Sequence, residues 1–267
     1  MKKQVIQVGG TVRSGTTIVG LILANQDKAI SLGEVFHLFY PSKKNHFNKI
    51  NELIVDSRWK NVIKGSPLNL YHNIFKNFPE IEIIIDSSKD PFWFKETIKN
   101  ENNEYIIQRV VTFKSPEDLR LSFEKRNFTN WRKVYLNYYK RFFTIFPDTP
   151  TVYLNSFLKD LDYLRKVCEH FQIDYHEDKM NYWEKNQPNF FGSPTVHQKR
   201  IDKNAINNLI VKRTGTDPKL KNMFDYLLNR QIGYNYPEGN IKYNWIMIGL
   251  FYLKDYYFPN KLWEVKE

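Results

Sequence analysis

The sequence predicts an α/β protein of three layers, in which a central, mostly parallel sheet is flanked by helices. Two observations lead to this prediction. Short apolar runs that are typical of buried strands alternate with segments that are compatible with helices, and this alternation indicates a parallel sheet with crossover helices. The first apolar run also ends in Gly9-Gly10 and is followed by a helical segment, which is how a β-α-β unit begins.

The predicted strands are short apolar runs at residues 5–8, 81–85, 106–113 and 151–154. Helices are predicted between them, at residues 16–24, 116–125, 131–143 and 158–171. Polar clusters follow three of the strands directly. Because ligands bind beyond the carboxyl ends of the strands in parallel sheets, we expect these clusters to form one site.

The chain is predicted to be a single domain over residues 1–267, with a core at 1–180 and a flexible lobe at 186–267 that covers the site. A further helix is predicted at 220–228. The nine apolar residues 245–253 are too few to span a membrane, which takes roughly 20 residues. We expect a buried C-terminal helix there, with an interfacial patch that touches a membrane as the alternative.

The formal net charge of +11 indicates an anionic partner. No run of five or more Lys or Arg occurs, so we expect a basic cleft and no nucleic acid as partner. Cys168 is the only cysteine, which excludes an internal disulfide and fits a reducing, cytoplasmic compartment. The six histidines show no zinc-like spacing, so no metal is expected.

Residues 10–17, Gly-Thr-Val-Arg-Ser-Gly-Thr-Thr, have the Gly-x4-Gly spacing of a nucleotide-triphosphate loop, so the fold is predicted to be P-loop nucleotide-binding-like. Glycines let the backbone approach an anion, and the following helix offers free N–H groups. Thr16 stands where the triphosphate loop has lysine, which disfavours hydrolysis of ATP or GTP. Arg13 lies inside the loop instead and can bind an oxyanion with two hydrogen bonds.

Residues 8–23, VGGTVRSGTTIVGLIL, resemble the 5′-phosphosulfate loop of sulfotransferases that use 3′-phosphoadenosine 5′-phosphosulfate (PAPS). The core of that loop reads Lys/Arg-Ser-Gly-Thr-Thr. The resemblance implies that five residues hold the 5′-phosphate and the sulfuryl group, namely Arg13, Ser14, Gly15, Thr16 and Thr17. It also implies that Arg13 neutralises the bridging oxygen as it leaves.

A second signature of the same family binds the 3′-phosphate and consists of Arg, Pro two residues later and Ser eight residues later. Lys114, Pro116 and Ser122 keep this spacing. Lysine in place of arginine preserves the charge but loses the bidentate geometry. Arg126 is four residues beyond Ser122, on the same helix face. The resemblance to tyrosylprotein sulfotransferases implies that Arg126 also binds the 3′-phosphate.

Two further segments supply catalytic candidates by resemblance to the bacterial carbohydrate and tyrosylprotein branch of the family. In DSSKDPF, Lys89 is expected to stabilise the sulfuryl oxygens, unless it only pairs with Asp86 or Asp90. In SLGEVFHLF, Glu34 matches the glutamate that acts as the base. His37 is the alternative base, because imidazole titrates near neutrality.

Four further candidate residues have weaker support. Arg213 and Gly215 resemble the late 3′-phosphate segment of the cytosolic branch, whose Gly-Asp-Trp is missing here. Tyr153 stands where relatives have a Tyr-Glu pair, but the glutamate is absent. His197 lies in a loop that could reach the nucleotide.

The resemblance therefore implies an enzyme that moves the sulfuryl group of PAPS to a hydroxyl acceptor by direct in-line transfer, with a glutamate base and no metal. The product is 3′,5′-adenosine bisphosphate. We expect a carbohydrate, glycolipid or other small hydroxyl compound as acceptor. The alternatives are a tyrosine-directed protein sulfotransferase, a nucleotide or small-molecule kinase with the same phosphate cradle, and a non-catalytic anion binder. Acceptor identity and oligomeric state stay open.

Overall fold

The computed structural model describes residues 2–99 and 104–193 of the chain. Within these ranges the strands are β1 (Lys3–Gly9), β2 (Ala29–Gly33), β3 (Ile83–Asp86), β4 (Tyr105–Phe113) and β5 (Thr151–Tyr153). They form one sheet in the order β2-β3-β1-β4-β5, and every pair is parallel. Strand β1 is central, so the loop that follows it is flanked by the loops after β3 and β4.

The helices of the described ranges are α1 (Thr16–Leu23), α2 (Lys44–Leu53), α3 (Ser57–Lys64), α4 (Leu70–Asn77), α5 (Pro91–Thr97), α6 (Pro116–Glu124), α7 (Trp131–Ile145), α8 (Leu154–Lys159) and α9 (Leu161–Phe171). Short 3₁₀ helices occur at Val35–Leu38, Pro67–Asn69, Glu177–Met180 and Tyr182–Glu184.

Two apolar clusters, one on each face of the sheet, hold these elements together. Alternate residues of a strand point to opposite faces, so Val5 packs with α3 to α7, while Ile6 packs with α1, α8 and α9. The result is a three-layer helix-sheet-helix arrangement. The predicted fold class is confirmed.

Strand β2 was not predicted, although all five of its residues are buried. Its sequence is Ala-Ile-Ser-Leu-Gly, and Ala and Gly are depleted in strands. The burial comes from its neighbours: β3 covers one side of the strand. On the other side, the backbone N–H groups of Asn189 and Phe190 donate to Ser31 and Leu32 at 2.9 and 3.0 Å.

That second contact involves the beginning of the predicted flexible lobe. Gln187 also accepts a hydrogen bond from the Ser31 backbone at 2.9 Å through its side chain. Residues 187–190 are therefore attached to the sheet edge. The rest of the predicted lobe, with the helix at 220–228 and the apolar stretch at 245–253, lies outside the described residues.

The single helix predicted at residues 158–171 is wrong. The chain forms α8 and α9, which are separated at Asp160. The Asp160 carboxylate accepts hydrogen bonds from the backbone N–H groups of Asp162 and Tyr163 at 3.0 and 3.1 Å, and this N-cap begins a new helix. No helix within the described ranges has the length and apolar character needed to cross a membrane. Cys168 is free and buried.

Candidate active site

A cavity of about 820 Å³ lies where the parallel strands end. Each of the strands β1 to β5 contributes a residue from the segment just after its carboxyl end, and these are Arg13, Glu34, Lys89, Lys114 and Leu154. Three of the segments carry the predicted polar clusters. The structure brings these three clusters together in the wall of the same cavity.

The loop between β1 and α1, residues 10–15, is shaped by two glycines. Gly10 has φ +150° and Gly15 has φ +95°, which are backbone conformations that side chains disfavour. A Cβ at Gly10 would lie 2.8 Å from the carbonyl oxygen of Thr112, and one at Gly15 would lie 2.5 Å from Leu154 Cδ2. The backbone is therefore free to curve around an anion, and α1 begins directly behind it with no acidic residue in its first turn.

The residues predicted to hold the 5′-phosphate divide into two groups. Arg13, Gly15, Thr16 and Thr17 line the cavity. Ser14 does not, because its side chain is fully buried and its Oγ lies 3.2 Å from Thr112 Oγ1. The Ser14 hydroxyl thus stabilises the loop from inside the protein, and the Ser14 backbone N–H donates to the Thr11 carbonyl at 3.0 Å within the loop.

The second predicted signature lies beside this loop. Arg13 Nε donates a hydrogen bond to Ser122 Oγ at 3.3 Å, and both Lys114 and Arg126 line the same cavity. Ser115 accepts a hydrogen bond from the backbone N–H of Asp118 at 3.1 Å. This cap marks the beginning of α6. The face of α6 that carries Ser122 lies toward the loop, as the contact with Arg13 shows.

The cations of this signature are crowded. Burial, and after it the positive charges of Arg13 and Lys125, lower the pKa of Lys114 to about 8, although Asp118 opposes the shift. Burial and the nearby Arg126 lower the pKa of Arg13 as well. Within the described ranges, the side chains of Lys114 and Arg126 form no hydrogen bond and no ion pair. Such a group of cations is suited to an anion of more than one charge.

Glu34 and Lys89 form an ion pair through Glu34 Oε1. Their side chains are 23% and 18% exposed. His37 Nε2 lies 3.8 Å from the other oxygen, Oε2. Glu34 follows Gly33 at the end of β2, so the strand that was missed in the sequence is the element that positions the predicted base.

Lys89 does not pair with the acids beside it in sequence. The buried carboxylate of Asp86 accepts from Tyr71 Oη at 2.7 Å and from Trp93 Nε1 at 2.8 Å, and burial raises its pKa. The Asp90 carboxylate caps α5. Because the carboxylates of Asp86 and Asp90 already accept these other hydrogen bonds, the Lys89 amine pairs with Glu34 instead.

Arg13 and Lys89 share an uncommon backbone conformation. Their φ angles are +71° and +70°, in the left-handed region that costs a non-glycine residue about 1–3 kcal/mol. Such a conformation persists only where the surrounding structure fixes it. The two predicted catalytic cations are among six non-glycine residues with positive φ in the described ranges, the others being Lys28, Asn127, Gln172 and Asn189.

Tyr138 on α7 joins the two strained loops and was not predicted. Its hydroxyl donates to the Lys89 carbonyl at 2.5 Å and accepts from the Gly10 backbone N–H at 2.7 Å. Burial raises the pKa of Tyr138 well above its ordinary value, so the hydroxyl keeps its proton. In the sequence Tyr138 lies within an aromatic stripe that indicates a core helix, and nothing local marks it.

Helix α2 contributes a further part of the wall that the sequence did not predict. Its lining residues are Lys43, Asn45, His46, Lys49 and Glu52. The His46 ring lies 4.1 Å from that of His37, centroid to centroid, and 5.0 Å from that of Phe191. The segment KKNHFNK has no motif spacing, so only its basic character could have drawn attention to it.

The remaining candidates are outside this arrangement. Tyr153 stacks on Phe113 with centroids 5.2 Å apart, and its hydroxyl accepts from Asn155 Nδ2 at 3.1 Å. Arg213, Gly215 and His197 lie outside the described residues. No group of three or more His, Cys, Asp or Glu residues that could hold a metal occurs in the part of the chain that is described.

Comparisons with known proteins identify the fold. No protein-family model matches the sequence, and a search of curated proteins finds no match. Two sulfotransferase domains are among the solved structures that are similar. The sulfotransferase domain from the Synechococcus PCC 7002 olefin synthase has a TM-score of 0.54 and 12% identity, over 87% of this chain and 95% of that one. The sulfotransferase domain from the curacin biosynthetic pathway has a TM-score of 0.58 and 11% identity, over 89% and 99%. The chain thus has a sulfotransferase-like α/β fold.

Proposed function

We propose that this protein is a sulfotransferase that moves the sulfuryl group of PAPS to a hydroxyl acceptor. The observation that carries the proposal is the content of one cavity. It holds a phosphate-type loop, a set of three cations (Arg13, Lys114 and Arg126) and the Glu34–Lys89 pair. The sulfotransferase-like fold supports the same conclusion.

The site fits the anionic groups of PAPS. The end of the loop at Gly15 and the start of α1 suit the 5′-phosphate, because the first N–H groups of a helix have no partner within the helix and α1 has no acidic residue in its first turn. The 3′-phosphate suits Lys114 and Arg126, which lack a carboxylate partner within the described ranges. Thr16 offers no ammonium for a γ-phosphate, which favours this donor over ATP.

The chain's own groups then have distinct tasks. When bound, PAPS supplies an activated sulfuryl group on a phosphate that can leave. Glu34 takes the proton of the acceptor hydroxyl, and Lys89 places positive charge beside the sulfuryl oxygens. Arg13 neutralises charge on the bridging oxygen. The ion pair orients Glu34 before the acceptor arrives.

His37 is the second candidate for the base. Its Nδ1 lies 3.3 Å from the Tyr40 carbonyl oxygen, which can only accept, so Nδ1 carries the proton of the neutral ring. Nε2 is then free to accept a proton, and it faces Glu34 Oε2. Because Glu34 contacts Lys89 and His37 does not, we assign the base to Glu34.

Calorimetric titration of the protein with 3′,5′-adenosine bisphosphate, AMP and ATP tests the proposal. We expect the bisphosphate to bind at least tenfold more tightly than AMP or ATP. The change Arg126→Gln should remove most of this preference, while Arg165→Gln, which changes the charge equally on the exposed face of α9, should not. Equal or tighter binding of ATP would overturn the donor and favour a kinase.

A further inference from the structure

The N-terminal end of α2 lines the cavity and carries positive charge, and no acidic residue in its first turn compensates this charge. The helix has ten residues, its N-cap residue Lys43 makes no side-chain cap, and its first turn contains no acidic residue. The first backbone N–H groups of a helix have no partner within the helix and carry the positive end of its dipole. Lys43 and Asn45 of this end line the cavity.

His46 in the same turn is a mostly buried side chain that lines the cavity and carries a hydrogen-bond donor. Its side chain is only 5% exposed, and Nδ1 accepts from the Ser42 backbone N–H at 3.2 Å. The neutral ring therefore carries its proton on Nε2. Within the described ranges Nε2 has no hydrogen-bond partner. Because His46 lines the cavity and its Nε2–H has no protein partner there, this donor suits a ligand that accepts a hydrogen bond.

The carboxylates of the cavity wall do not supply that acceptor. Glu34 pairs with Lys89, and Glu52 pairs with Lys49 at 3.0 Å. Lys43 has no ion pair within the described ranges. Burial lowers the pKa of His46, and so do the neighbouring His37 and Lys43, although Glu34 opposes the shift. His46 is consequently a neutral donor beside a cation.

This end of α2 also adjoins the proposed base. The His46 ring packs on His37, whose Nε2 is 3.8 Å from Glu34 Oε2. Phe191 contacts both histidine rings, with centroids 5.0 and 5.7 Å away, and provides an apolar wall. A ligand group bound at Lys43 and His46 therefore lies close to the hydroxyl that Glu34 deprotonates.

We propose that the acceptor carries an anionic group near its reacting hydroxyl, and that Lys43 and His46 bind this group. The inference rests on the proposed sulfotransferase function and narrows its acceptor to carboxylated, sulfated or phosphorylated hydroxyl compounds. The Lys43 ammonium neutralises one negative charge of this group, and His46 Nε2–H donates a hydrogen bond to one of the group's oxygens.

The test uses protein that is saturated with 3′,5′-adenosine bisphosphate and titrated calorimetrically with two pairs of sugars. The pairs are methyl β-D-glucuronide with methyl β-D-glucoside, and glucose 6-sulfate with glucose. The anionic member of at least one pair should bind tenfold or more tightly than the neutral member. Lys43→Gln and His46→Asn should each reduce this preference at least fivefold, with bisphosphate affinity unchanged within about twofold.

The variants are chosen to separate binding from folding. Asparagine can still accept from the Ser42 N–H in place of Nδ1, so His46→Asn keeps this contact while it removes the Nε2 donor and the ring that packs on His37 and Phe191. Lys44→Gln is the matched control, since Lys44 is exposed on the same helix and does not line the cavity. The inference is overturned if no anionic sugar is preferred, or if the preference survives both variants. Failure of the bisphosphate to bind during loading would instead overturn the proposed function.

Discussion

Arg13 Nε donates a hydrogen bond to Ser122 Oγ over 3.3 Å, and this contact joins two phosphate signatures that lie 109 positions apart. The sheet brings them together. Strand β4 pairs with the whole of β1, with Gly9 opposite Val111, and continues two residues further to Phe113, so the loops after the two strands begin close together. Arg13 consequently belongs to both signatures, and its removal should disturb the whole donor site.

Arg13→Gly is expected to abolish sulfuryl transfer and to weaken binding of 3′,5′-adenosine bisphosphate about 10- to 100-fold, because charged hydrogen bonds contribute about 1.5–3 kcal/mol. Glycine also relieves the positive φ at this position, so the free energy of unfolding should not fall. Calorimetry and urea denaturation measure the two effects. Arg13→Ala, which keeps the strained φ, should lose the same affinity, and a fully active variant of either kind would refute the role.

Lys114 makes donor binding depend on pH. Its pKa is lowered to about 8, so the amine is charged at pH 7 and mostly neutral at pH 9. The phosphates, with a second pKa of about 6, are mostly doubly ionised at pH 7 and gain little further charge by pH 9. Affinity for the bisphosphate should therefore fall about tenfold from pH 7 to pH 9, with proton uptake on binding.

Lys114→Arg provides the control for this pH dependence. Arginine stays charged at pH 9, so the variant should bind at least as tightly as the wild type at pH 7 and lose little affinity at pH 9. Calorimetry at both values measures this. An equal loss in both proteins would assign the pH dependence to another group, and much weaker binding by the variant would show that a guanidinium does not fit.

Glu34→Gln should lower kcat by about 10²- to 10⁴-fold, the usual contribution of a general base. The amide keeps the shape of the side chain, so the Kd of the bisphosphate should change by less than about threefold. Turnover is measured with the best acceptor from a screen of hydroxyl compounds. His37→Gln should cost less than about tenfold. The reverse order of effects would make His37 the base, and loss of donor binding in Glu34→Gln would make Glu34 structural.

Tyr138→Phe should lower the free energy of unfolding by about 1–2 kcal/mol, because the Gly10 N–H and the Lys89 carbonyl lose their shared partner. Affinity for the bisphosphate should fall in parallel, since the hydroxyl connects the phosphate loop to the Lys89 loop. Urea denaturation and calorimetry measure both. Tyr40→Phe, at a half-exposed ring, is the control and should change stability by less than about 0.5 kcal/mol. Unchanged stability and binding in Tyr138→Phe would refute the bridge.

Features that depend on nearby residues were predictable from the sequence. The change from an apolar run to Gly9-Gly10 and then to Thr16 predicts a strand, a turn and a helix, and β1 and α1 have that arrangement. The positions of Lys89 and Lys114 just after apolar runs were visible in the same way. Since parallel strands end at one edge, a shared site followed from these local patterns.

Other features depended on the tertiary structure, because they come from residues that are distant in sequence. The order β2-β3-β1-β4-β5 and the burial of Ala29–Gly33 result from strand pairing, which overrides weak local propensity. The choice of Glu34 rather than Asp86 as partner of Lys89, the Tyr138 bridge and the place of His46 in the wall are also long-range. Sequence order thus determined which groups reach the end of the sheet, and packing alone decided which of them touch.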